Sequence, residues 1–131
     1  MKQEYGSNNC LAFAAAMAFN SSVEEIESQI PLAPFAKGGL DMQDIIRFGL
    51  LKGYYTGAIF IEPKIYFGKI IQPFDIKESP AIVIVKSNYN ADETHAVYWD
   101  GQMIWDPDPG VDDGLELSSY KILAWYPVTK L

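Results

Sequence analysis

Apolar and polar positions in the first part of the chain follow the pattern of helices. Residues 10–19 form an apolar run without a single charge, and Ser7, Asn8 and Asn9 directly before it belong to residue types that cap helix starts. Because the run is apolar on nearly every face of a helix, we expect it to be buried on all sides.

Capping signals predict two further helices. Ser22 stands three residues before Glu25, which is the spacing of a capping box, and this helix extends as far as the residue before Pro31. After a loop rich in Pro and Gly, residues 41–52 predict a third helix, since acidic side chains suit its first turn and Gly53 suits its end.

The second half of the chain changes to strand patterns. Residues 57–62 and 65–71 favour β-structure weakly, 81–85 form a β-branched run typical of a buried strand, and 121–128 predict a final strand. Helices followed by antiparallel strands indicate an α+β fold, in which the N-terminal helices pack on an antiparallel sheet. No repeat or linker interrupts the sequence, so we expect one domain over residues 1–131.

A β-hairpin is the clearest local signal. Two aromatic and β-branched runs flank Asp100 and Gly101, the dipeptide that favours a two-residue type I′ turn. His95 lies five residues before this turn and Asp106 lies five residues after it. Directly opposed residues share one face with Cβ atoms about 5 Å apart, so the hairpin predicts an imidazole beside a carboxylate.

The only cysteine and the only histidine of the chain suggest thiol chemistry. Cys10 opens the buried helix, where free backbone N–H groups and the helix dipole favour a thiolate. A thiolate beside an imidazole that a carboxylate orients is an arrangement for acyl transfer. Each residue also has a plain structural interpretation: Cys10 as a small buried apolar residue, His95 at a strand edge and Asp106 as a turn former.

These motifs resemble a known family. A cysteine at the start of an Ala-rich helix, the sequence Ser-Pro-Ala-Ile-Val-Ile-Val at 79–85, His95-Ala-Val and Asp106-Pro resemble papain-like cysteine peptidases. The likeness is greatest to bacteriocin-processing, double-glycine-type peptidase domains, and the order of elements matches over essentially the whole chain. The resemblance implies a papain-like fold with Cys10 as nucleophile, His95 as general acid and base, and Asp106 as the residue that orients the imidazole.

The resemblance also implies a glutamine that donates to the oxyanion. Gln3 is the candidate, although six residues separate it from Cys10, one more than in the usual pattern. Asn8 and Asn9 are alternative donors. Leu11 follows the cysteine where family members commonly have a small or aromatic residue.

Charge and length exclude several classes of function. Ten Lys and Arg against seventeen Asp and Glu give a net charge of −7 without a basic run, so we expect no nucleic-acid partner. The apolar run at 10–19 is too short to cross a bilayer, so we expect no membrane partner. We expect a cytoplasmic protein; a secretory signal is the alternative, but Glu4 cancels the charge of Lys2.

The acidic loop (residues 106–114) raises the alternative of a calcium site, because oxygen ligands at alternating positions suit Ca²⁺. Its spacing departs from the EF-hand pattern, and two prolines stiffen it. One histidine and one cysteine are a poor set of zinc ligands. We therefore expect a rigid solvated turn without a metal, and a protein that needs no cofactor.

The sequence thus predicts a cysteine peptidase that hydrolyses a peptide or isopeptide bond in a protein or peptide substrate. The resemblance favours cleavage after small residues such as glycine. Three alternatives stay open: a related thiol enzyme such as a deamidase or acyltransferase, a non-catalytic module that binds a protein through the acidic surface, and a calcium-dependent interaction domain.

Overall fold

The computed structural model describes residues 1–2, 9–30, 41–60, 79–87, 94–112 and 114–131. The helices of these residues are α1 (Cys10–Ala18), α2 (Val23–Gln29) and α3 (Met42–Leu51). Their strands are β1 (Tyr54–Thr56), β2 (Ile59–Phe60), β3 (Ala81–Lys86), β4 (Thr94–Trp99), β5 (Ile104–Trp105) and β6 (Ile122–Lys130). The predicted α+β order, with the cysteine on the first helix, is confirmed.

The ends of α2 and α3 follow their capping residues. The hydroxyl of Ser22 accepts a hydrogen bond from the N–H of Glu25 at 3.1 Å, and the carboxylate of Asp41 accepts one from the N–H of Gln43 at 3.0 Å. Gly53 follows α3 with a φ of 90°, a conformation that glycine adopts without strain. The predicted positions of both helices are confirmed.

The strands form one antiparallel sheet in the order β1-β6-β3-β4-β5, and β2 also pairs with β6. The predicted strand at 81–85 corresponds to β3, the one at 121–128 overlaps β6, and β2 lies within 57–62. The predicted strand at 65–71 lies outside the described residues. The short strand β1 was not predicted from the sequence.

Each face of the sheet carries a hydrophobic core. The helices cover one face, where α1 packs against β4 and its buried alanines belong to the same core as Ala96 and Ala124. The other face has a second core of Val83, Val97 and Trp125, against which residues of the chain between β5 and β6 pack. The prediction that α1 is buried on all sides agrees with the absence of an exposed residue in this helix.

The predicted β4–β5 hairpin is confirmed, but its predicted two-residue type I′ turn is wrong. Trp99 lies opposite Ile104, which leaves residues 100–103 in a four-residue turn. The carboxylate of Asp100 is the physical reason, since it accepts hydrogen bonds at 2.8 and 2.9 Å from two main-chain N–H groups of the turn. Gly101 has a φ of 102°, whereas a type I′ turn needs a positive φ at Asp100 as well.

The wider turn shifts the register by two residues. Continuing the pairing beyond β5 would place Asp106 opposite Val97 instead of opposite His95. Because a shift by an even number keeps every side chain on its face, Asp106 and His95 still lie on the same side of the hairpin as diagonal neighbours.

No helix in the part of the chain that the structure describes is long and apolar enough to cross a membrane.

Candidate active site

Cys10 is the first residue of α1 and is partly buried. The helix start directs free backbone N–H groups and the positive end of the helix dipole toward the sulfur. Asn9 stands at the N-cap position but makes no capping hydrogen bond. Its side-chain amide instead donates to Glu27 of α2 at 2.9 Å, so the predicted capping role of Asn9 is not realised.

The thiol of Cys10 contacts the start of β4. Burial raises the pKa of the thiol, but hydrogen bonds with the His95 side chain and the Ala96 N–H, together with the positive charge of His95, outweigh burial. The net effect lowers the pKa of Cys10 from its ordinary value. The fold therefore brings together two residues that 85 positions of sequence separate.

His95 connects the thiol to a carboxylate. Its Nε2 lies 2.6 Å from Oδ1 of Asp106, which leaves Nδ1 for Cys10. Burial lowers the pKa of the imidazole, but the hydrogen bonds and negative charges of Asp106 and Cys10 reverse this effect and raise the pKa of His95 to about 10. At neutral pH this favours an imidazolium beside a thiolate.

Asp106 follows β5 and is fixed at both carboxylate oxygens. Oδ1 also accepts the N–H of Asp108 at 2.8 Å, and Oδ2 accepts the hydroxyl of Tyr120 at 2.6 Å. Burial raises the pKa of Asp106, but these hydrogen bonds and the charge of His95 lower it overall. The Asp106 side chain is 2% exposed and that of His95 is 19% exposed, so solvent reaches the imidazole but not the carboxylate.

Two contacts of Asp106 were not predicted from the sequence. Tyr120 lies 14 residues from Asp106, and Lys2 lies 104 residues away. The ammonium of Lys2 donates to the main-chain oxygens of Asp106 and Val111, each at 2.7 Å. No local pattern marks either residue, because only the folded chain brings them to the acidic loop.

Of the three predicted oxyanion donors, only Asn9 lies within the described residues. Gln3 and Asn8 lie outside the described residues. Asn9 is described, and one N–H of its amide is directed to Glu27, while its buried carbonyl oxygen has no hydrogen-bond partner. This orientation disfavours Asn9 as the oxyanion donor.

The acidic loop shows no arrangement of metal ligands in its described residues. Asp106 directs its carboxylate to His95 and Tyr120, and Oδ1 of Asp108 accepts the N–H of Gly110 at 2.8 Å. Across the ranges that the structure describes, no three His, Cys, Asp or Glu side chains are grouped to hold a metal ion. The described carboxylates of the loop stabilise its own backbone and the histidine.

Comparison with known proteins identifies the fold of the chain. No protein-family model and no curated protein sequence matches the chain. A crystal structure of a double glycine motif protease from an AMS/PCAT transporter, in complex with the leader peptide, matches with a TM-score of 0.59 and 15% identity. The match covers 100% of this chain and 90% of that chain. The chain has a papain-like fold.

This papain-like fold accounts for the position of the three predicted residues. A helix that begins with the cysteine packs on the sheet strand that begins near the histidine, and the carboxylate approaches the imidazole from the neighbouring strand. At 15% identity the likeness shows the fold alone.

Proposed function

We propose that the papain-like domain, taken as one unit over residues 1–131, is a cysteine peptidase with Cys10, His95 and Asp106 as its catalytic triad. The hydrogen-bonded chain from Cys10 through His95 to Asp106 carries this proposal. The pKa of the thiol is lowered and the pKa of the imidazole is raised, which is the pairing that thiol acyl transfer needs at neutral pH.

The reaction proceeds in two steps. The Cys10 thiolate attacks the carbonyl carbon of the scissile bond, and the resulting oxyanion accepts hydrogen bonds from N–H groups at the start of α1. The His95 imidazolium gives its Nδ1 proton to the leaving amine, so the C–N bond breaks and a thioester remains. The neutral imidazole then takes a proton from water, whose oxygen attacks the thioester, and the carboxylic acid leaves with regeneration of the thiolate and the imidazolium.

We assign Gln3 as the side-chain donor to the oxyanion. Two observations support this assignment: the amide of Asn9 is directed to Glu27, and Lys2, directly before Gln3, hydrogen-bonds the main chain of Asp106. Gln3→Ala is expected to lower kcat by about 10²-fold with little change in KM, because it removes a hydrogen bond that stabilises the oxyanion in the transition state. An unchanged kcat would reject Gln3.

The proposed substrate is an extended peptide or protein segment with a small residue such as glycine before the cleaved bond. The supporting observation is that the structural neighbour is a protease in complex with a leader peptide. We also place the protein in the cytoplasm, in accord with its single cysteine and the lack of a disulfide framework.

The direct test is cleavage of a peptide library, read by mass spectrometry, with wild type, Cys10→Ala and His95→Ala. A peptidase gives new termini with wild type and none with either variant, while all three proteins keep the same circular dichroism spectrum. Release of ammonia without cleavage would indicate a deamidase, and amine incorporation would indicate an acyltransferase. Peptide binding without any reaction would contradict the proposal and favour a non-catalytic binding module.

A further inference from the structure

The second oxygen of Asp106 has its own donor. His95 and the N–H of Asp108 occupy Oδ1, and the hydroxyl of Tyr120 donates to Oδ2 at 2.6 Å. A hydrogen bond this short to an ionised carboxylate is of the charge-assisted kind, which is stronger than a bond between neutral groups. The pair extends the chain of contacts from the thiol to a fourth side chain.

Tyr120 is held in place by its own surroundings. It follows a turn of 3-10 helix, Leu117–Ser119, and its N–H donates to the oxygen of Leu117 at 3.1 Å. Its ring is partly buried against the core on the face of the sheet opposite the helices. The hydroxyl therefore reaches Asp106 from a packed position and holds the carboxylate oxygen that His95 does not contact.

We propose that Tyr120 is a positioning residue of the site, acting through Asp106 on His95 and thereby on Cys10. This inference rests on the proposed function. A carboxylate that accepts a bond at Oδ2 stays ionised and cannot rotate, so Oδ1 stays on Nε2 of the imidazole. Loss of the hydroxyl frees this rotation, weakens the hold on the imidazolium and raises the pKa of the thiol.

Several described groups contact the series Cys10, His95 and Asp106, and the test must distinguish the effect of Tyr120 from theirs. His95 approaches Asp106 from β4, Cys10 approaches His95 from α1, and Tyr120 approaches from the segment before β6. Lys2 approaches the main-chain oxygen of Asp106. Among these contacts, only that of Tyr120 is removed by deletion of one hydroxyl without a change of formal charge.

The test compares Tyr120→Phe with Tyr98→Phe, which removes a hydroxyl from a partly buried tyrosine on the helix-covered face of the sheet. The rate of iodoacetamide alkylation at Cys10, the only cysteine, is measured against pH. We expect the midpoint for Tyr120→Phe to move up toward the free-cysteine value of about 8.5. At a pH below the wild-type midpoint, alkylation then slows about three- to tenfold, as expected when the pKa of the thiol rises by about half to one unit. Tyr98→Phe should overlay wild type, and an overlay by Tyr120→Phe would overturn the inference.

The His95→Ala variant distinguishes failure of the proposed function from failure of the role of Tyr120. If wild type and His95→Ala titrate alike, the thiolate–imidazolium pair does not form and the proposed function fails. If they differ while Tyr120→Phe overlays wild type, only the role of Tyr120 fails.

The Asp106→Asn background tests whether the effect passes through the carboxylate. There the added Tyr120→Phe change should leave the midpoint unmoved, and a full-size shift would contradict the positioning role. If Tyr120→Phe does not fold, a fluorinated tyrosine at position 120 keeps the ring and strengthens the donor. The midpoint should then move to lower pH, and an unmoved midpoint would overturn the inference.

Discussion

Helix α1 and the acidic loop hold the two ends of the candidate site in different ways. The nine residues of α1 are all apolar, and five of them are buried alanines of the core on the helix-covered face of the sheet. Asp106 in the acidic loop is also buried, but hydrogen bonds from His95, Tyr120 and the N–H of Asp108 fix it. Cys10 is thus placed by packing and Asp106 by directed polar contacts.

Because packing places Cys10 and hydrogen bonds place Asp106, changes in the two regions should affect stability and catalysis differently. A volume change in α1 should disturb the whole core, because protein interiors are packed as densely as crystals. A change in the polar contacts of the acidic loop should alter the imidazole first, because each contact has a direction and acts on one group. The comparison therefore predicts two classes of variant with opposite profiles.

The largest effect is expected from Asp106→Asn. The amide keeps the size of the side chain but removes its charge, so the imidazolium loses its partner and kcat/KM should fall by about 10³- to 10⁴-fold. The variant should still be folded at the assay temperature, so the loss of activity reflects the site and not unfolding. A decrease of less than tenfold in kcat/KM, measured with a cleaved peptide, would contradict the claim that the polar contacts of Asp106 control the imidazole.

Ala15→Leu is expected to have the opposite profile. Ala15 has no exposed surface, and overpacking such a site costs about 1–3 kcal/mol in the free energy of unfolding. Urea unfolding should show this loss, while kcat/KM of the folded protein at low temperature stays near that of wild type. The control is Glu24→Leu at an exposed position of α2, which should unfold like wild type.

The pH dependence should be bell-shaped. Activity rises as Cys10 ionises, at a pH below the ordinary range because its pKa is lowered, and falls as His95 loses its proton near pH 10. Asp106→Asn should move the alkaline limb to lower pH, since the negative charge that raises the pKa of His95 is gone. An alkaline limb near 6.5 in wild type would contradict the ion pair.

Stability should follow the same linkage. Because folding raises the pKa of His95, its contribution is complete below about 6.5 and is lost as the pH rises through about 10. Folding lowers the pKa of Asp106, so its contribution is present above the ordinary carboxyl range and is lost in acid. Urea unfolding of wild type and Asp106→Asn across pH should converge in acid; a gap independent of pH would exclude the linkage.

The smallest effect is expected from Lys2→Met. It removes hydrogen bonds to the main-chain oxygens of Asp106 and Val111, which should lower kcat/KM by about two- to fivefold. Lys130→Met, at an exposed position of β6, is the matched control for loss of one charge. Equal behaviour of the two variants in the peptide assay would show that the Lys2 contacts do not support the site.

Local signals explain how much of this arrangement the sequence predicts. The caps Ser22 and Asp41 mark helix starts through bonds to nearby N–H groups, and the Asp100–Gly101 pair marks the hairpin. The turn width was missed because it depends on the Asp100 side chain, which also accepts the indole N–H of Trp105 at 2.8 Å. His95 and Asp106 are still neighbours, as predicted, because the observed register differs from the predicted one by two residues. A shift of two keeps both side chains on one face of the hairpin.

Non-local contacts explain the rest. Tyr120 and Lys2 reach the acidic loop only in the folded chain, from 14 and 104 residues away. The approach of Cys10 to β4 depends on how α1, whose buried residues include Ala12 and Ala16, packs against this strand. An apolar run predicts that a helix is buried but not which strand it covers.

The most direct test of the central claim is the NMR titration of His95, the only histidine of the chain, whose imidazole signals therefore need no assignment among others. If Cys10, His95 and Asp106 form the proposed ion-paired triad, the imidazole stays protonated through neutral pH and titrates near 10 in wild type. In Asp106→Asn it should titrate at clearly lower pH. Titration of the wild-type imidazole near its ordinary value of about 6.5, unchanged in Asp106→Asn, would contradict the account.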